Sequence, residues 1–257
     1  MEHETESIAE FDMDLLYEYF LNLKRQVPGS PETTIKALSF IDNLNEISHI
    51  ADIGCGTGGQ TLILAKHTTG NIIGIDNSIP FIEKFNDNIN KNNLESRVKG
   101  IVESMDNLSL KKEELDMIWS EGAIAHIGFE RGLKYWNKYI KENGYIAVTD
   151  ATWFTENRPG EINDFWIDAY PEIDTIGNNV LKMEKAGYMP IASFVIPENC
   201  WIENYFTPKV SLNEAFLEKY KGNKAVEDFI AAEEWEAQLY EKYKKYYGYV
   251  FYIGKKI

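Results

Sequence analysis

The run Asp52-Ile53-Gly54-Cys55-Gly56-Thr57-Gly58-Gly59-Gln60 holds the densest chemistry in the chain. Glycines directly after a strand-like run let the backbone turn sharply and approach a ligand closely. A helix beginning there adds an electropositive end. Two cofactor chemistries fit. Gly54, Gly56 and Gly59 spell G-x-G-x-x-G, a cradle for the diphosphate of a nicotinamide dinucleotide. Asp52, Gly54, Gly56 and Gly58 spell D-x-G-x-G-x-G instead. A carboxylate at Asp52 is unfavourable beside a diphosphate and suits a cationic end, such as the ammonium of S-adenosylmethionine. Asp76 ends a second strand-like run, about twenty residues on, where a carboxylate accepts ribose hydroxyls in either case. Asp52 and Gly58 favour the sulfonium cofactor.

Further along, His126 follows a fourth strand-like run. An imidazole is the side chain best suited to a general base near neutral pH. Glu121, just before it, is placed to orient a cofactor ammonium or accept a proton. Asp150 ends the fifth run at the same sheet edge. Aromatic residues then concentrate, and Trp153, Trp166 and Tyr170 are read, with His126, as walls of an acceptor pocket. No metal site is expected: the histidines lie at 3, 49, 67 and 126, and Cys55 and Cys200 are the two cysteines.

These residues need a sheet to bring them together. Apolar runs at His49–Gly54, Asn71–Asp76, Val98–Ser104, Leu115–Gly122 and Tyr145–Ala151 alternate with helical patterns, which predicts an α/β fold. Asp12–Lys24 reads as an amphipathic helix. Ser30 caps a helix opening at Pro31, with Ile35, Leu38, Ile41 and Leu44 on one face. Phe129–Lys141 reads as a helix stopped by Gly144. Tyr188–Ile196 and Tyr246–Gly254 read as two last strands around a mostly helical excursion. The expectation is a doubly wound, seven-stranded, mostly parallel sheet with an antiparallel last strand and a helical cap. It forms one domain over 1–257, with 1–30 as an N-terminal helical cover and 197–245 as an insertion between the last two strands. The segments 157–171 and 197–243 are expected to cover the acceptor as a mobile lid.

The blocks "ADIGCGTGG", "GIDNS", "ESMDNLSL" and "SEGAIAHIG" stand in the order and spacing of class I S-adenosylmethionine-dependent methyltransferases, which the chain resembles from about residue 25 to 155. It looks most like a group of small bacterial members with "PGSPE" before the core. The resemblance implies that Gly54, Cys55, Gly56, Thr57 and Gly58 wrap the methionine part of S-adenosylmethionine. It implies that Asp76 takes the ribose hydroxyls with Asn77 beside it, and that Ser104 and Met105 flank the adenine. Ser120 and Glu121 would line the place where the methyl group points, and Arg25 would pair with the cofactor carboxylate. Many relatives carry an acid right after the third strand; here Ser104-Met105 stands there, with Asp106 one further on.

Composition narrows the acceptor. Asp and Glu total 41 against 26 Lys and Arg, a net charge of −15, so nucleic acid is disfavoured as a partner. No apolar run approaches the roughly 18 residues that cross a bilayer. The acidic start "MEHETESIAEFDMD" is unlike a secretory signal, which points to the cytoplasm. Motifs for adenine or glutamine N-methylation and for cytosine C5-methylation are missing. A small-molecule methyl acceptor, modified at O, N, S or C, remains. A nicotinamide-dependent oxidoreductase and a non-catalytic binder of S-adenosylmethionine are the alternatives.

Overall fold

His49–Ile53 (β1) is buried from Ile50 onward, so it belongs inside a sheet covered on both faces. In the computed structural model, which describes residues 13–257, β1 pairs in parallel with β2 (Asn71–Asp76) and β4 (Leu115–Glu121). Outside these lie β3 (Val98–Val102) and β5 (Ile140–Trp153), also parallel. A two-residue β6 (Asp174–Thr175) extends the end of β5. The chain then returns through β7 (Tyr188–Val195) and β8 (Tyr247–Lys256), with β8 antiparallel between β5 and β7. The order β3-β2-β1-β4-β5-β8-β7 is the mostly parallel, doubly wound sheet expected, with β6 as an addition.

Twelve helical segments surround it among the described residues, and the first two matter most here. They are α1 (Met13–Leu21) and α2 (Pro31–Leu38). Ser30 caps α2 as expected: its hydroxyl accepts the Thr33 N–H, and the Thr33 hydroxyl accepts the Ser30 N–H. The helix is shorter than its apolar spacing suggested. It buries Thr33, Thr34 and Ala37 while Ile35 stays exposed. Ser39 turns its hydroxyl back onto the Lys36 carbonyl, and Asn43 takes a left-handed φ of 64°, so the pattern through Leu44 continues without a helix.

Around the sheet pack α3 (Gly59–His67), α4 (Ile79–Lys91), α5 (Phe129–Asn137), α6 (Gly160–Ala169) and α7 (Ile176–Lys185). The helix read as Phe129–Lys141 stops at Asn137 because Ile140 is already paired with Leu115 in the sheet. Between β7 and β8 run α8 (Asn199–Trp201), a π-helical turn (Ile202–Phe206), α9 (Thr207–Lys219) and α10 (Lys224–Tyr243).

This excursion is core on its inner side. Trp201, Tyr205, Leu239 and Tyr240 are buried in one cluster with Trp153, Trp166 and Tyr247 of α6 and the sheet. Trp201 stacks on Tyr240 with ring centres 4.5 Å apart. Packing of this density does not suit a freely opening lid. A smaller cluster joins Tyr19 of α1 to Phe216, Val226 and Ile230, and the Tyr19 hydroxyl donates to Asn213 at 2.6 Å. The N-terminal cover is thus fastened to the insertion; its residues 1–12 lie outside the described residues. Among the described residues no helix is long and apolar enough to cross a membrane.

Candidate active site

The glycine loop is tied down by its own backbone. The N–H groups of Gly54 and Cys55 both donate to the Ile75 carbonyl of β2, at 2.8 and 3.0 Å. Gly56 donates to Asp76 Oδ2 at 3.0 Å, Thr57 to Gln26 Oε1 at 3.2 Å, and Gly58 to the Cys55 carbonyl at 3.0 Å. Every N–H from Gly54 to Gly58 is therefore engaged within the protein. Gly56 and Gly58 are held to glycine by backbone angle and by space. Gly56 has φ +53° and a Cβ there would stand 2.5 Å from Gln26 Oε1; Gly58 has φ +88° and a Cβ would meet the Phe85 ring at 2.8 Å.

Asp76 stands at the end of β2. Its Oδ1 accepts the Ser78 N–H at 2.9 Å and its Oδ2 the Gly56 N–H. An ionised carboxylate offers about four lone-pair sites, so two remain for a ligand. Burial raises its pKa above the ordinary value, opposed by the N–H bonds from Ser78 and Gly56 and by the field of His126.

Above the loop opens a cavity of about 470 Å³. Gly54, Cys55, Gly56, Asp76 and Asn77 line one side, Ser104, Met105 and Asp106 another, and Glu121, Gly122 and His126 a third. Met13, Leu16 and Tyr17 of α1, with Gln26 and Val27 of the turn after it, close the top. His126 sits on a one-turn 3₁₀ helix, Ile124–Ile127, held at its N–H by the Ala123 carbonyl. Ser104 donates to Asp106 at 2.6 Å, and the Met105 carbonyl accepts the Trp136 indole N–H at 2.9 Å.

Glu121 is buried and fully engaged. Its Oε1 accepts the Trp119 indole N–H at 2.9 Å and the Thr34 hydroxyl at 2.7 Å, and its Oε2 accepts Arg25 Nη1 at 2.8 Å. The side chains of Arg25 and Glu121 are 9% and 1% exposed, so the pair is shielded from solvent. This pair and Gln26 are the two clasps between the cover and the sheet edge. The Gln26 amide also donates to the Phe20 and Leu23 carbonyls, pinning the end of α1.

Several residues anticipated at the cofactor or acceptor lie elsewhere. Arg25 is already paired with Glu121 and faces a neighbouring cavity, as does Thr57. Asp52 is fully buried behind the loop, accepting the Thr61 hydroxyl at 2.5 Å and the Gln60 amide at 3.3 Å; it ties α3 to β1. The reason is register: β1 continues through Ile53, so Asp52 is still inside the sheet. Ser120 donates to the Ile53 carbonyl at 2.7 Å within the sheet. Gly58 abuts Phe85 rather than the cavity. Trp153, Trp166 and Tyr170 are buried in the main core, apart from His126. Tyr17 and the other α1 residues were not singled out by the sequence, which marks α1 only as amphipathic. Among the described residues no group of three or more His, Cys, Asp or Glu is placed to hold a metal ion.

Residues 50–144 match the family model of a methyltransferase domain. The phosphoethanolamine N-methyltransferase of Plasmodium falciparum is 31% identical over 140 residues, covering 52% of this chain and 50% of that protein. A sterol 24-C-methyltransferase of Kluyveromyces lactis is 26% identical over 147 residues, covering 57% and 39%. The chain thus spans half or less of the length of these two relatives. A methyltransferase from Geobacter sulfurreducens, solved with S-adenosylhomocysteine, superposes with a TM-score of 0.82 at 14% identity, covering 95% of this chain and 98% of that one. At that identity the likeness speaks to the fold.

Proposed function

We propose, for a chain that is a class I S-adenosylmethionine-dependent methyltransferase by domain and fold, that it transfers the cofactor's methyl group to a small molecule bearing an ionisable hydroxyl or amine. One observation carries the choice of cofactor. All five N–H groups of Gly54–Gly58 are engaged internally, one of them by the Asp76 carboxylate. A dinucleotide diphosphate would need those donors free and would meet a negative charge in their place. A nucleoside with free ribose hydroxyls and a cationic tail meets acceptors instead: the two open lone-pair sites of Asp76 and the acidic lining of the cavity.

Methyl transfer from a sulfonium asks for alignment more than for chemistry from the protein. Bound in the cavity, S-adenosylmethionine would supply an electrophilic methyl group to the acceptor's electron pair, with its sulfur leaving as a neutral thioether. The proton lost by the acceptor passes to His126, the cavity's imidazole. Glu121 is held by Arg25, Thr34 and Trp119 as part of the clasp, which leaves His126 as the base. The phosphoethanolamine and sterol named for the relatives support a small acceptor, modified at nitrogen or carbon in those proteins.

The test is transfer of a methyl-labelled cofactor to a panel of amines, phenols and thiols. Label on an organic acceptor, with S-adenosylhomocysteine formed in equal amount, is the expected result. Binding of cofactor with no label on any class would favour the non-catalytic alternative.

A further inference from the structure

A second cavity, of about 830 Å³, lies on the other side of the α1–α2 turn, between α1, α3 and α4. Its floor is apolar. α3 turns Leu64 and Ala65 into the core, and a helix facing water would present polar residues on the other side. Ile63 stands there instead, half-buried, and Leu62 beside it lines the cavity while also packing against the main core. Lys24, Lys66 and Lys84 border the same space, and none of the three forms an ion pair among the described residues. In a chain of net charge −15, three lysines around one space make a local cationic excess, which focuses anions to that spot. Glu203 is the acid that borders it. The volume is that of a small-ligand site.

We propose that this cavity binds an amphipathic anion: a phosphate or carboxylate head met by Lys66 and Lys84, on an unbranched apolar tail lying over Leu62 and Ile63. Thr57 borders this cavity and is held by Gln26, which borders the first, so the two sites share a wall. The proposal stands apart from methyl transfer and does not depend on it.

Decyl phosphate, below its micelle-forming concentration and at low salt, is titrated into the full chain by calorimetry. Saturable binding of one molecule per chain is expected, weakening by up to about fourfold for each methylene removed from the tail. The double variant Lys66→Gln/Lys84→Gln should bind at least tenfold more weakly and keep its affinity for S-adenosylhomocysteine. Ile63→Asp, with the lysines intact, should also bind more weakly, and melting curves of both variants establish that they are folded. Vesicles of phosphatidylcholine with and without phosphatidic acid separate the two sources of such a head group. Lysine-dependent retention on the anionic vesicles assigns a lipid, and binding of the monomer alone assigns a free metabolite; either supports the site. Uptake that does not saturate, equal binding of decyltrimethylammonium, or affinity unmoved by the lysine substitutions would overturn it.

Discussion

The floor and the cover of the first cavity are built in different ways. The floor, Gly54–Gly58 with Asp76, is fixed by peptide N–H groups, all but that of Thr57 bonded within a stretch of about two dozen residues. The cover, α1 with the Arg25–Gln26 turn, is fixed by side chains: one buried ion pair, one carboxamide, and Tyr19 anchored to the insertion. Backbone bonds survive most substitutions, whereas side-chain clasps can be removed one at a time. The floor is therefore preformed, and the cover is a part whose clasps can be removed without unmaking it.

The largest effect tests the chemistry between them. His126→Ala should lower turnover by roughly 10²–10⁴-fold while S-adenosylhomocysteine affinity stays within about threefold. Next comes the cover. Arg25→Met leaves Glu121 buried without its cation, which should destabilise the fold by roughly 3–5 kcal/mol in a denaturant titration. A change below about 1 kcal/mol would mean that the cover is held elsewhere. On the floor, Asp76→Ala should weaken S-adenosylhomocysteine by roughly 2–4 kcal/mol, the loss of two charge-assisted hydrogen bonds. Its melting temperature without ligand should fall modestly, because the Gly56 and Ser78 N–H groups lose their acceptor.

The smallest effect concerns the support behind the floor. Burial pushes the Asp52 carboxyl up to about 7, despite hydrogen bonds from Thr61 and Gln60 that lower it. An unfolded aspartate titrates near about 3.9. Between those values the folded chain holds a proton that the unfolded chain has released, so stability falls as pH rises from about 4 through about 7 and levels off above. Asp150 adds the same sign up to about 8, through burial opposed by the Tyr170 hydroxyl. Asp52→Asn should flatten the slope, gaining roughly 1–3 kcal/mol at pH 8 relative to pH 5. Denaturant midpoints across pH check it; an unchanged slope would assign the dependence to other groups.

The floor was legible in the sequence because its parts are close in the chain. A strand, a glycine loop and a carboxylate about twenty residues on form a local pattern with a physical reason at each place. The cover was not. Tyr17 reaches the cavity because α1 lies across the sheet edge, and nothing in an amphipathic repeat says which edge a helix crosses. Gln26 stands beside Arg25 in sequence, yet the carboxamide is the one that meets the loop while the guanidinium turns to Glu121. Asp52 and Ser120 show the limit for strands. A side chain reaches a cavity at the sheet edge only where its strand stops, and a one- or two-residue difference in that end decides it. Trp153, Trp166 and Tyr170 read as pocket walls, but residue type alone does not separate a ligand wall from a core.

With its N–H groups engaged and the Asp76 carboxylate among them, the floor should accept a cationic nucleoside and refuse a diphosphate. Titration calorimetry of S-adenosylmethionine, S-adenosylhomocysteine and NAD into the same preparation tests it most directly. The first two should bind in the micromolar range, about −8 kcal/mol, with NAD far weaker. Tight binding of NAD with no response to the sulfonium would contradict it.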